Sequence, residues 1–142
     1  MSSPSANAIV DVLGLAASSD PAQFLTVHVA EGFQSRVLDR VQRQIAPGDK
    51  AFWTTVIPKA TLDRQKKRGR LSAQNSDRVY DIARVWAATL EVFKDKDAAR
   101  QFVHRPHMLL NNQSPIDVAM ISSAGADQVV TLINRAAAGV AL

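Results

Sequence analysis

The sequence predicts an all-helical chain: a helix-turn-helix unit followed by a small, second helical unit. Three observations lead there. Apolar residues recur at helical spacing, most clearly Val79, Ile82, Trp86, Leu90 and Phe93, at steps of 3, 4, 4 and 3. No run alternates apolar and polar residues for long enough to argue a strand. Basic charge is concentrated in residues 59–70, KATLDRQKKRGR, which follow Ile57-Pro58 and carry an inward-facing Leu62 and a terminating Gly69. That is the layout of a short helix docked behind a tight turn.

The elements follow from local signals. Residues 1–8 are rich in Ser, Ala and Pro and are expected to be disordered, and Ile9 to Leu15 supports one helical turn or two. Ser18-Ser19-Asp20-Pro21 breaks it, with Pro21 suited to the first position of a helix that Glu31-Gly32 stops. Ser35 to Ile45 places Val37, Leu38, Val41 and Ile45 on one face and ends at Pro47-Gly48. Asp49 is positioned to cap a helix running to about Val56, with Phe52, Trp53 and Val56 on one face. The basic helix starts at Pro58 or Lys59. Ser72 caps the longest helix, which carries the Val79 to Phe93 stripe. Asp97 to Val103 forms a short helix broken by Pro106, and residues 107–113 form a loop. Ser114 and Pro115 cap and open another short helix, and Ser123 to Ala138 forms the last, with Val129, Leu132, Ile133 and Ala136 inward. Residues 1–30 thus read as an N-terminal tail, partly disordered or helical, 31–93 as the helix-turn-helix unit with its long linking helix, and 94–142 as the C-terminal unit.

The charge distribution points to a polyanion. The chain has a formal net charge of +4, and residues 59–70 alone contribute +5, from six cations and one acid. In a helix-turn-helix, one helix braces across the DNA backbone while the second enters the major groove. With Leu62 inward, Lys59, Thr61, Arg64, Gln65 and Arg68 spread over one exposed arc. Thr61, Arg64 and Gln65 are the candidates for base edges, and Lys66, Lys67 and Arg70 for phosphates. Phe52 stands where a small residue is usual and Val56 where a glycine is usual, which predicts a distorted turn. Taken alone, the run also fits a solvated face of an ordinary helix.

Residues 106–142 carry only Asp117, Asp127 and Arg135 as charged side chains, too few to solvate every face, so part of the region should bury against its own chain, a second copy or another protein. Within it, RPHMLLNNQSPID has the composition of a built loop. Pro106 stops a helix, Asn111-Asn112 tolerate left-handed backbone, and Ser114-Pro115 restarts a helix.

Together these features resemble the Xre/MbcA/ParS-like antitoxins of the RES–Xre type II toxin–antitoxin class. IPKATLDRQKKRGRLSAQNSDRVYDIARV is similar to the family's helix-turn-helix and following helix. FVHRPHMLLNNQSPIDVA resembles its second signature, and AGADQVVTLINRAAAGV its closing helix. The resemblance spans about residues 30–142. It implies an all-α, Xre-like homodimer that represses its own promoter through operator DNA and neutralises a RES-domain toxin acting on NAD. It assigns toxin contact to Arg105, Pro106, Asn111, Asn112, Ser114 and Pro115, and to the chain end, Val140, Ala141 and Leu142.

Catalysis has little raw material. The histidines are His28, His104 and His107, and the glutamates Glu31 and Glu91; cysteine is absent. Pro106 separates His104 from His107, and no third metal ligand lies nearby. No phosphate-binding loop, dinucleotide turn or nucleophile elbow occurs. The reading is a non-enzymatic protein without cofactor or metal. The N-terminus lacks a basic leader and no stretch reaches the roughly 18 apolar residues of a membrane span, so a cytoplasmic location is expected. Two alternatives stand beside the dual-function antitoxin: a sequence-specific transcription factor without a toxin partner, and a toxin inhibitor that has lost DNA binding.

Overall fold

A 21-residue helix without glycine or proline, Ala73–Phe93, organises the molecule. The structure, a computed structural model, describes residues 4–139. Among them are eight α-helices: α1 (Ala6–Leu13), α2 (Pro21–Glu31), α3 (Arg36–Ile45), α4 (Lys59–Arg68), α5 (Ala73–Phe93), α6 (Lys96–His104), α7 (Pro115–Ile121) and α8 (Ser123–Ala137). Two single turns of 3-10 helix, Phe52–Thr55 and Met108–Leu110, complete the list, and pairing is limited to two isolated bridges. The all-helical expectation holds for the described residues. No helix among them is long and apolar enough to cross a membrane.

Helix α5 touches α1, α2 and α3 on one side and α6, α7 and α8 on the other. Its burial is therefore wider than the stripe read from sequence: Ala83, Val85, Ala87, Ala88 and Thr89 are buried as well as Val79, Ile82 and Trp86. An α-helix enclosed on nearly every side is a core helix, and its alanines let neighbours approach closely. The indole N–H of Trp86 donates to Gln44 Oε1 at 3.3 Å, so the largest buried side chain also has its polar atom satisfied.

Most caps form as their residue types dictate. Ser72 accepts from the Asn75 amide, Ser114 from Asp117, and Pro21 occupies the first turn of α2 behind Asp20. Gly69 closes α4 in the left-handed region at φ +84. Two regions differ from expectation. Residues 4–8 are ordered: Ser5 caps α1, and Ile9, Val10, Val12 and Leu13 are buried. Residues 49–56 give one 3-10 turn rather than a helix. Phe52 and Trp53 are both buried, Trp53 through a hydrogen bond from Nε1 to the carbonyl of Leu38, and β-branched Thr54, Thr55 and Val56 follow. Val56 itself stays at φ −105, and extended Pro58 makes the turn, so no left-handed residue is required there.

At the C-terminal end of the core, Gly125 of α8 crosses the end of α7 so closely that a Cβ would stand 2.0 Å from the Val118 carbonyl oxygen. Backbone atoms cannot yield as a flexible side chain can. Gly125→Ala should therefore lower stability by about 2 kcal/mol despite alanine's better helix propensity, measurable as a fall in the denaturant midpoint at unchanged slope.

Candidate functional site

Two surfaces stand apart from the core. The first is α4. Lys59, Arg64, Lys66, Lys67 and Arg68, with Arg70 just beyond the helix, are exposed, and Thr61 is partly covered. The single ion pair on this helix among the described residues joins Lys59 to Asp63 at 2.8 Å. Gln65 departs from its expected place on the exposed arc. It is 6% exposed, and its Oε1 accepts from the Ser72 amide at 3.1 Å and from Asn75 Nδ2 at 3.2 Å. It ties α4 to the start of α5 and is not available to a base edge. Its polar type had suggested a surface role; its position, three residues beyond Leu62, puts it on the inward face.

The second surface is the segment between α6 and α7. His107 and Gln113 form an antiparallel bridge, with the His107 amide donating to the Gln113 carbonyl and the Asn112 amide to the His107 carbonyl, both at 3.0 Å. Asn111 and Asn112 both adopt φ +61, the left-handed conformation anticipated for this pair. The loop is thus a small, fixed hairpin. Its tip exposes Met108 at 82% and Leu109 at 50%, although large apolar side chains elsewhere are mostly buried. Phe93 and Phe102, 5.0 Å apart, support it from below, and Phe102 meets the His107 ring edge-on.

The hairpin forms a ridge between two hollows. Phe93, Phe102, Arg105, Pro106, His107, Met108 and Leu109 line one, an open groove of about 660 Å³. Leu109, Leu110, Gln128, Thr131, Leu132 and Arg135 line the other. Of the residues singled out from sequence, Arg105, Pro106, Asn111 and Asn112 are exposed here. Ser114 and Pro115 depart from expectation: both are buried, Ser114 as the cap of α7 and Pro115 in its first turn, so they hold the hairpin's base rather than present a surface. Val140, Ala141 and Leu142 lie outside the described residues. Met108 and Leu109 were not singled out from sequence. The available signal was two large apolar residues in succession between a helix-stopping proline and a left-handed asparagine pair.

A buried polar cluster fixes this unit on α5. Asp81, 5% exposed, accepts from Arg78 Nη1 at 2.8 Å, from Arg84 Nε at 3.1 Å and from the Ser123 hydroxyl at 2.5 Å. Arg78 Nη2 also donates to the carbonyls of Ala119 and Met120, which end α7, and Arg84 Nη2 pairs with Asp127 of α8 at 2.6 Å. Burial alone would lower the pKa of Arg84, but its hydrogen bonds and charge interactions with Asp127 and Asp81 outweigh that, and the net shift is upward.

Nothing in this geometry gathers reactive groups. Among the described residues no three metal-binding side chains come together, and His104 and His107 are engaged separately, with the Ile45 carbonyl and the Leu109 amide. A ridge with exposed apolar residues between flanking hollows has the form of a protein-docking surface. Residues 88–139 match the family model of the antitoxin Xre/MbcA/ParS C-terminal toxin-binding domain. The end of α5 through α8 is accordingly similar to the toxin-binding domain of these antitoxins. No curated protein matches it.

Proposed function

We propose that this chain neutralises a cognate RES-domain, NAD-consuming toxin by seating the 107–113 hairpin against it, and that it contacts operator DNA through α4 as a cytoplasmic homodimer repressing its own operon. The hairpin supports the toxin half of the reading, because Met108 and Leu109 stand exposed on a loop closed by backbone hydrogen bonds between His107 and residues 112 and 113. Arg105, Pro106, Asn111 and Asn112 supply a polar and shape-defining rim, as at other docking surfaces with an apolar centre. By family resemblance, Val140 to Leu142 extend the same contact. The DNA half rests on the exposed cations of α4, with Thr61 and Arg64 left as candidates for bases.

The test is co-expression with the RES-domain protein. Cellular NAD should collapse when that protein is made alone and recover when the antitoxin is made with it, and the two should co-purify in fixed proportion. NAD that stays depleted, or the absence of a complex, would remove the RES assignment while leaving a toxin of another class to be found.

A further inference from the structure

The C-terminal end of α4 is stitched to the segment that leads into α3. The Ser35 amide donates to the Gly69 carbonyl at 3.0 Å, and the Leu71 amide to the Phe33 carbonyl at 2.8 Å. These bonds flank Gln34 and Arg70, which makes them a non-hydrogen-bonded antiparallel pair. Side chains of such a pair lie on one face, with Cα atoms about 4.5 Å apart. Gln34 Oε1 in turn accepts Arg36 Nε at 2.7 Å. Arg68 donates from Nη2 to the Arg70 carbonyl at 3.2 Å. Arg36, distant in sequence, is thereby placed on the same edge of the molecule as Arg68 and Arg70.

Each is oriented by a carbonyl: Arg36 by Gly14, Arg68 by Arg70, and Arg70 by Gly32 at 2.7 Å. Among the described residues none of the three pairs with a carboxylate. Exposed guanidinium groups on one edge without counter-charge leave N–H groups from which a phosphate can accept. Phe52 and Trp53, in the turn packed against α4, are buried and offer no platform for stacking unpaired bases. An exposed helix suits the roughly 12 Å major groove of B-DNA, whereas the deep, narrow groove of A-form RNA excludes it.

We infer that Arg36, Arg68 and Arg70 form a sequence-independent phosphate clamp for duplex DNA, with Arg36 contributed by the first turn of α3. The inference rests on the DNA half of the reading above and adds a residue outside the basic run. The experiment is fluorescence anisotropy with the full chain. The probes are a labelled duplex of about two helical turns from upstream of its own coding sequence, a shuffled duplex of equal composition, and an RNA duplex.

Arg36→Ala should weaken binding to both DNA duplexes by the same factor, roughly three- to tenfold, and reduce the slope of log affinity against log salt by about one. Arg36→Lys should restore the slope. Unchanged affinity, a loss confined to one DNA duplex, or a preference for the RNA duplex would overturn the clamp. If thermal melting shows that Arg36→Ala is unfolded, Arg68→Gln carries the same expectation. No binding by the unsubstituted protein would end both the clamp and the DNA reading, whereas toxin capture by the same sample would show that the docking reading survives.

Discussion

Asp81→Ala should destabilise the protein by about 3 kcal/mol, a larger effect than any single apolar truncation at the periphery. The carboxylate is the one acceptor shared by Arg78, Arg84 and the Ser123 hydroxyl. Removing it leaves two largely covered guanidinium groups facing each other across a space too polar to collapse. Arg84 keeps Asp127 and Arg78 keeps the end of α7, so the loss is bounded below the cost of a wholly isolated buried charge. For a chain of this size that free energy corresponds to a fall of about 10 °C in Tm. Asp81→Asn, which retains one acceptor, should fall between. If calorimetry shows Asp81→Ala melting within about a degree of the unsubstituted protein, the cluster does not hold α7 and α8 on α5.

Replacing Met108 and Leu109 together with glutamate should have the opposite profile: unchanged melting and loss of toxin binding. Both side chains already face solvent, so the folded state gives up little. In a complex they would occupy the desolvated centre, where a buried, unpaired carboxylate is expensive. A loss of about 3 kcal/mol, or more than a hundredfold in Kd, is expected by calorimetric titration with the toxin. Arg105→Ala, at the rim, should cost about 1 kcal/mol or less and chiefly slow association. Equal losses at centre and rim would mean that the ridge is not the anchor of the interface.

Local chemistry made much of this architecture readable. Ser72, Ser114 and Pro115 announce helix starts because caps act within one turn, and Asn111-Asn112 announce left-handed backbone for the same reason. The failures came from partners remote in sequence. Helix α1 begins at Ala6, inside the stretch read as disordered; it packs against α2, α3 and α5, and Ile9, Val10, Val12 and Leu13 are buried. Phe52 and Trp53 resembled one face of a helix, but both are drawn inward and the turn tightens. Gln65 looked like a surface contact because its type is polar; hydrogen bonds from Ser72 and Asn75 use it internally. Arg78, Asp81 and Arg84 gave no sign of burial, since charges at this spacing usually mark a solvated face.

Helix α5 sets the distance between the two surfaces. Its first turn is tied to α4 through Gln65, and its last turn carries Phe93 beneath the hairpin. At 1.5 Å per residue its 21 residues form a strut of roughly 30 Å. Cargo at one end would not collide with cargo at the other, and a rod packed along most of its length transmits little bending between them. If α4 and the hairpin bind as proposed above, the two partners would sit at opposite ends of one strut, far enough apart to be held together on one molecule.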